Sequence, residues 1–484
     1  MKQKLNLVFD GNLLANEFDN TNSNRTGVFF VVHNIFLFLV KSKKYLISVY
    51  ADNSRHDNLF AYFEKYVITN VDILDQHGLI VNRSNIDIFL SLAPVFLIPE
   101  EIRKQSNISF FIFLHDITPI LFDFESPNLN WYNEFVKQLN NDYFYFANSQ
   151  STKNDFINRY KILDQEKITV TPLAASKYFY PCKDKAQIDK TRKKYGIPLD
   201  KKYALSLCTI QPRKNLSMAV KAFAGFVKKN NINDIVFALG GSHWDHFFDK
   251  FKEEVGDLDI ENKVITLGYI DDVDLAALYS GAEFFIYTSL YEGFGLPVLE
   301  AMQCGCPVIT GNNSSLPEVI GDTGIMIDAY SQKEHIEAME KYYFDSKLRE
   351  HNRKKGLLRS KQFSWSVTAE LMMKEFDKVK RDGKKVIEKK PKRGIKTKIK
   401  STVKKLPLIK QLWRRYTDLK NCINDNKSIL ESIQSEINNI HSEIDNSNAA
   451  ALERQLNRLR SWDLVKSREN IPSLEQEIRG IDAK

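Results

Sequence analysis

Two carboxylates eight positions apart, Glu292 and Glu300, flank a loop that reads Gly293-Phe294-Gly295-Leu296-Pro297. An apolar run, AEFFIYTS, leads into this loop, and Pro297 falls where a helix would begin. Proline is pre-organised for a first helical turn and loses nothing there by lacking an N–H. The free N–H groups of that turn, with those of Gly293 to Leu296, form a nest suited to polar or anionic oxygens. Both glutamates can then face a cleft at the C-terminal edge of a sheet, where open α/β folds bind ligands. Without the Gly-Pro loop, two carboxylates at this spacing would read as solvated surface residues. Arg213-Lys214 poses the same choice between solvated charge and a phosphate site. His115-Asp116 closes another apolar run, as a structural strand end or as cleft residues.

Other acidic pairs carry less. Asp257-x-Asp259 and Asp272-x-Asp274 imitate an Asp-x-Asp metal motif, but the second precedes an apolar helical stretch, LAALY, so helix N-capping explains it better. Gly240-Gly241 is a tight turn after a strand, and its spacing fails the Gly-x-Gly-x-x-Gly nicotinamide fingerprint. The five cysteines, Cys182, Cys208, Cys304, Cys306 and Cys422, are odd in number and scattered. They imply no disulfide framework and, lacking a second pair, no zinc site. Buried packing thiols in a reducing cytoplasm are the expectation.

The elements that must position these residues form two series. LNLVFDG, KYLISVYAD, IDIFLSL, ISFFIFLHD, DYFYFANS and KITVTPLA are continuous apolar runs, the signature of strands buried on both faces of a parallel sheet. YALSLCT, DIVFALGG, KVITLGY, AEFFIYTS, PVITG and GIMIDA repeat the pattern with helix-compatible sequence between them. Two doubly wound α/β domains are predicted. The charged segment from Cys182 to Lys202 lacks apolar periodicity and reads as the interdomain linker. FSWSVTAELMMKEFDKVK reads as one amphipathic helix. The longest apolar run, Val28 to Val40, is about 13 residues against the ~20 of a membrane span. MKQKLNLVFDGN is too briefly apolar for a signal peptide.

With these elements in place the sequence resembles the retaining glycosyltransferases of family 4, whose GT-B fold has two facing Rossmann-like domains. The resemblance rests on Glu292-x7-Glu300 with its loop, Pro212-Arg213-Lys214-Asn215, LGYIDDVDLAALY (267–279), SSLPEVIGD (314–322), VTPLAA (170–175) and FLHDITP (113–119). It covers about residues 5 to 376 and implies an N-terminal acceptor-side domain, 1–183. A C-terminal donor-binding domain, 184–377, would follow, its final helix returning to the first domain. It implies that Arg213 and Lys214 neutralise a donor diphosphate in place of a metal, so no metal or other cofactor is expected. Glu300 would accept the ribose hydroxyls, and Glu292, with Gly293 to Pro297 around it, would contact the transferred sugar. Backbone near Gly268 and Tyr269 would read the nucleobase, and His115 and Asp116 would face the acceptor. His115, Arg213, Lys214 and Glu292 form the implied catalytic set.

Two departures stand out. Cys208-Thr209 replaces the family's usual Gly-Thr or Gly-Arg, removing a second diphosphate arginine seen in some relatives. Thr26-Gly27-Val28-Phe29-Phe30 keeps Gly27, which lets backbone approach the diphosphate, but lacks the second glycine and the arginine of Thr-Gly-Ile-Gly-Arg-Tyr. The implied reaction moves a hexose from a nucleoside-diphosphate sugar, with a lean to GDP-mannose, to a glycan or lipid-linked acceptor in cell-surface polysaccharide synthesis. The alternative is a silent GT-B scaffold acting through its tail, against which stand intact Glu292, Glu300, Arg213 and Lys214.

From Lys378 to Arg415 there are 17 Lys or Arg against two acids, a local charge of +15 in a chain of net charge +8, which leaves the body mildly acidic. This basic linker, 378–411, is almost without aromatics, so stacking on nucleic acid is disfavoured. An anionic membrane surface fits it better, with LPLIKQLW available for shallow insertion. That would hold a cytoplasmic protein at the inner face of the membrane. Leu412, Tyr416, Leu419, Ile423, Asn426, Leu430, Ile433, Ile437, Ile440 and Ile444 step by four and three, a heptad seam predicting a coiled coil over 412–460, ahead of a tail, 461–484. Self-association, or docking to a helical partner, is expected.

Overall fold

The computed structural model describes residues 4–18, 27–93, 98–122, 130–241 and 245–378. Apart from Lys378, the basic linker, the heptad segment and the tail lie outside the described residues.

Both predicted sheets are present. The first contains β1 (Asn6–Asp10), β2 (Leu46–Tyr50), β3 (Asp72–Leu74), β4 (Ile88–Ser91), β5 (Ser109–Leu114), β6 (Phe144–Ala147) and β7 (Ile168–Val170), in the order β3-β2-β1-β4-β5-β6-β7. The second contains β8 (Lys202–Leu207), β9 (Ile235–Gly240), β10 (Val264–Gly268), β11 (Phe284–Tyr287), β12 (Val308–Gly311) and β13 (Ile325–Ile327), in the order β10-β9-β8-β11-β12-β13. All the pairings are parallel. Each order reverses once, between β1 and β4 and between β8 and β11, and a doubly wound sheet opens its ligand crevice at that switch point.

The apolar run Val28–Val40 is a core element. It forms most of the helix Gly27–Ser42, which buries Phe29, Val31, Val32, Ile35, Phe36 and Leu39 against the first sheet. Among the described residues no helix is long and apolar enough to cross a membrane. The helix Trp365–Lys378 returns to the first domain, where Phe376 sets its ring edge-on to Phe111 (centroids 4.7 Å apart) and to Tyr45 (5.7 Å).

Three expectations need correction. The segment taken for a linker contains the helix Lys185–Lys194, capped by Asp184, whose carboxylate accepts from the Ala186 and Gln187 amides. It packs on the helix Asp272–Gly281, where a Cβ on Gly281 would lie 2.7 Å from Ile188 Cγ2. Its apolar face is too narrow for periodicity to show it. Strand β3 was not predicted, because three residues, Asp-Ile-Leu, make no recognisable run. Asp272 is not an N-cap either. The helix starts there, Asp271 holds the cap position without a side-chain bond, and Asp271 and Asp274 each lie 2.6 Å from Lys194 Nζ.

Candidate active site

The site grows from the loops after β8 and β11, the strands that meet at the second sheet's switch point. After β8, Pro212–Lys214 makes one tight turn that ends at Asn215, in the left-handed region at φ 58°. Asparagine tolerates that conformation. Its side-chain amide donates to Thr288 O (3.1 Å) and Ala329 O (2.7 Å), pinning the turn to the ends of β11 and β13. Arg213 and Lys214 are thereby delivered to the loop after β11.

Glu292 Oε1 accepts from Lys214 Nζ at 2.5 Å, Tyr287 Oη at 2.9 Å and an Arg213 guanidinium nitrogen at 3.1 Å. Burial pushes its carboxyl up, but Lys214 and Arg213 outweigh that and hold it down at about 2. Glu300 is the opposite case. Burial pushes it up to about 7, Asp272 adds repulsion, and only Tyr279 Oη, 3.2 Å away, offsets them. Two glutamates on one loop and helix thus differ in charge near neutrality. Beneath them, the rings of Tyr279, Phe285 and Tyr287 pack in series at 5.1 and 5.9 Å, so one aromatic row presents a phenol to each carboxylate.

The loop turns at Gly295, φ 101°, before the helix Leu296–Gln303 with Pro297 in its first turn. The backbone N–H groups of Gly293 to Leu296 take no hydrogen-bond partner among the described residues. They are available to oxygen atoms of a ligand. Gly293 must be glycine for another reason: a Cβ there would lie 2.3 Å from His115 O and 2.9 Å from Asp116 Cβ, in the other domain.

His115 follows β5 and donates from Nε2 to Leu92 O at 2.7 Å, since a carbonyl can only accept. Burial lowers its pKa, so the ring is neutral and Nδ1 keeps a lone pair. Asp116 accepts from the Thr118 amide at 2.9 Å. Asn148, after β6, donates to His115 O at 2.7 Å, while its own Oδ1 is buried without a partner.

These groups surround one interdomain cleft of about 460 Å³. Gly27, His115 and Asp116 line it from the first domain. Lys214, Glu292, Glu300 and the whole Gly293–Pro297 loop line it from the second. Three expected residues stand apart from that lining. Arg213 turns back onto the loop, donating to Tyr291 O at 2.8 Å as well as to Glu292. Gly268 (φ 67°) and Tyr269, 67% exposed, lie at the end of edge strand β10. Cys208 does line the cleft, its thiol pushed up to about 11 by burial. Among the described residues, no group of three or more His, Cys, Asp or Glu side chains stands together as a metal site requires.

Residues 187–359, which carry both loops, match the family model for glycosyl transferases group 1. Over this domain the chain is similar to the group 1 glycosyl transferases. It is 35% identical to the O-antigen chain mannosyltransferase B of Escherichia coli, over 41% of this chain and 51% of that protein. It is 28% identical to the serotype-specific mannosyltransferase WbdA of Escherichia coli, over 48% and 28% of the two chains. The chain therefore spans about half or less of the curated relatives it matches. Among solved structures, Anabaena HepE in complex with UDP and glucose aligns with TM-score 0.59 at 16% identity, covering 77% of this chain and all of that one. Sucrose-phosphate synthase from Thermosynechococcus elongatus aligns with TM-score 0.59 at 17% identity, covering 77% and 98%. At such identities the likeness is one of fold, the two-domain GT-B arrangement.

Several residues of this site are not marked by any sequence pattern. Tyr279 and Tyr287 lie in apolar runs and bury their rings, while their hydroxyls reach the glutamates. Asn148 sits in the ordinary strand end ANS, and Asp272 was absorbed by the capping explanation. Trp365 lines the cleft from the returning helix, far away in sequence.

Proposed function

We propose that this protein is a glycosyltransferase that moves a hexose from a nucleoside-diphosphate sugar to a glycan or lipid-linked acceptor in cell-surface polysaccharide synthesis, with retention at the anomeric carbon. The observation that carries this reading is Glu292, ionised between two cations on the wall of a cleft that also offers free backbone N–H groups. Lys214 and Arg213 together exceed Glu292 by one positive charge. A diphosphate entering beside the Gly293–Leu296 amides would draw Lys214 Nζ from Glu292 and leave that carboxylate to accept from sugar hydroxyls. As the bond from the anomeric carbon to the diphosphate oxygen breaks, the electron pair leaves with the diphosphate. Preorganised charge of this kind is usually the largest catalytic contribution. The acceptor oxygen bonds the anomeric carbon on the face that the diphosphate leaves, and its proton passes to the departing phosphate oxygen. His115, neutral and oriented by Leu92 O, would accept a hydrogen bond at Nδ1 from a hydroxyl without taking its proton. In this reading side-chain cations replace a metal.

The names of the Escherichia coli relatives, both mannosyltransferases, support mannose and hence a GDP-mannose donor. The strongly basic linker and the heptad segment support an oligomer, or a docked helical partner, held at the inner face of the cytoplasmic membrane. The test is a thermal-shift screen against UDP, GDP, dTDP and ADP, followed by transfer assays with the matching sugar nucleotides and NMR of the product's anomeric proton. Stabilisation by GDP and transfer of mannose with retention are expected. Transfer from none of these donors would refute the function, and an inverted product would refute the mechanism.

A further inference from the structure

The helix Gln150–Arg159 begins at the end of β6, in the first domain, and its first turn is satisfied from the second. The Gln150 and Ser151 amides donate to the two carboxylate oxygens of Glu318, each at 2.7 Å, across 168 and 167 residues. The third amide, of Thr152, is capped locally by Ser149 Oγ at 3.0 Å. A carboxylate at a helix N-terminus answers both the orphan N–H groups and the helix dipole. The same helix grips the second domain at two further points. Ser149 Oγ and Thr152 Oγ1 donate to Gly293 O at 2.7 and 3.1 Å, and Asp155 Oδ2 accepts from Tyr291 Oη at 2.7 Å. Gly293 and Tyr291 are the neighbours of Glu292 on either side.

Glu318 is coupled to that loop from behind. The Glu292 amide donates to Ser314 Oγ at 3.0 Å and the Glu292 carbonyl accepts from Ser315 Oγ at 2.9 Å. Ser315 immediately precedes the short helix Leu316–Ile320 that carries Glu318. Arg359 fixes the helix by donating to Glu318 O (2.6 Å) and Val319 O (2.7 Å). Glu318 and the Glu292 loop therefore move as one body, and that body is latched to the first domain beside His115.

We propose that Glu318 is a positioning residue: by capping the helix Gln150–Arg159 across the domain boundary it holds the closed arrangement in which Glu292 and Lys214 face His115 and Asp116. Opening the cleft to exchange ligands would replace the carboxylate–amide bonds with bonds to water. The kinetic part of this proposal rests on the glycosyltransferase reading; the structural part does not.

The test compares the full-length protein with its Glu318→Ala and Glu318→Asp variants, using amide hydrogen exchange at Gln150 and Ser151, nucleotide affinity and steady-state transfer. Hydrogen bonds to a charged group of this kind support a roughly 10- to 100-fold change in the closed population. Glu318→Ala should speed exchange at the two amides and lower kcat by that factor, with nucleotide affinity kept within about twofold because Lys214, Glu292 and Glu300 lie in one domain. Glu318→Asp, which restores the charge one methylene shorter, should recover part of both. Tyr291→Phe, which removes only the bond to Asp155, should give a smaller effect in the same direction. Unchanged exchange in Glu318→Ala, or equal losses in kcat and nucleotide affinity, would overturn the latch. A wild-type protein that transfers no sugar yet shows the expected exchange pattern would refute the proposed function and support the latch.

Discussion

Acidification from about pH 8 to about pH 6 should weaken binding of a sugar nucleotide through one side chain, Glu300. In the proposed site its carboxylate accepts hydrogen bonds from two ribose hydroxyls, a task for the ionised form. With the carboxyl pushed up to about 7 by burial and by Asp272, the ionised fraction falls from about nine-tenths to about one-tenth over that interval. Apparent affinity should drop about tenfold, or about 1.4 kcal/mol, and binding near pH 7 should release about half a proton. A sugar nucleotide is the right ligand because its diphosphate is esterified at both ends and does not titrate here. A free nucleotide's terminal phosphate, with a pKa near ~6, would obscure the effect. Calorimetry in two buffers of different ionisation enthalpy measures both affinity and proton release. Glu300→Gln should bind weakly at every pH and lose the pH dependence. The same slope in that variant, or tighter binding in acid, would refute the reasoning.

The sign of the stability effect is set by the same shift. Glu300 ionises near 4.5 when unfolded and near 7 when folded, so between those values the folded state holds the extra proton. Stability from that proton is present below about 4.5 and is lost as the pH rises to 7. The limit is about 3 kcal/mol, reduced because the side chain is only half-buried and meets cleft water. Glu300→Gln should therefore melt higher than wild type at about pH 8 and show little difference at about pH 4.

Glu292→Gln and Lys214→Ala should each cut transfer at least ~100-fold while melting cooperatively, the loss typical of one preorganised electrostatic group; near-normal rates would refute their roles. Gly293→Ala places a methyl 2.3 Å from His115 O, so the domain boundary must part. Overpacking of this kind costs about 1–3 kcal/mol, and kcat should fall roughly 5- to 100-fold with nucleotide affinity retained. Transfer should persist in EDTA, and activity lost to chelation and restored by manganese would show that the cations are not sufficient. Truncation after Asp377 should abolish self-association in light scattering and flotation with anionic liposomes at low salt; full-length protein that is monomeric and ignores such liposomes would refute the reading of the tail.

What was legible in the sequence was whatever a local pattern can encode. Continuous apolar runs located twelve of the thirteen strands found among the described residues, because burial on both faces leaves no polar position to confuse the period. Gly293, Gly295 and Pro297 gave the loop, because backbone approach, a left-handed turn and a first-turn proline each demand one residue type. Illegible were the properties that depend on which elements meet. Arg213 and Glu300 illustrate the limit. Sequence offers a cation and a carboxylate, but only the fold turns one back onto Tyr291 and sets the other beside Asp272, so that the first braces the loop and the second titrates near neutrality.

The boundary between the domains was the least legible part, and the reason is physical. The GFG loop reads as a ligand-binding nest because its amides are free, yet the Gly293 carbonyl and the Gly293 hydrogens serve the other domain instead. Ser149 occupies an ordinary N-cap position and Thr152 an ordinary first-turn position, and nothing local distinguishes a helix N-terminus capped by its own residues from one capped by a carboxylate 168 residues away. Such bonds leave no periodicity, because each partner is chosen by closure of the two domains and not by its sequence neighbours. The residues that make the chemistry possible are thus of two kinds here. One kind, Glu292 with its loop, satisfies a local rule. The other, Glu318 with the first turn of Gln150–Arg159, satisfies only the assembled protein.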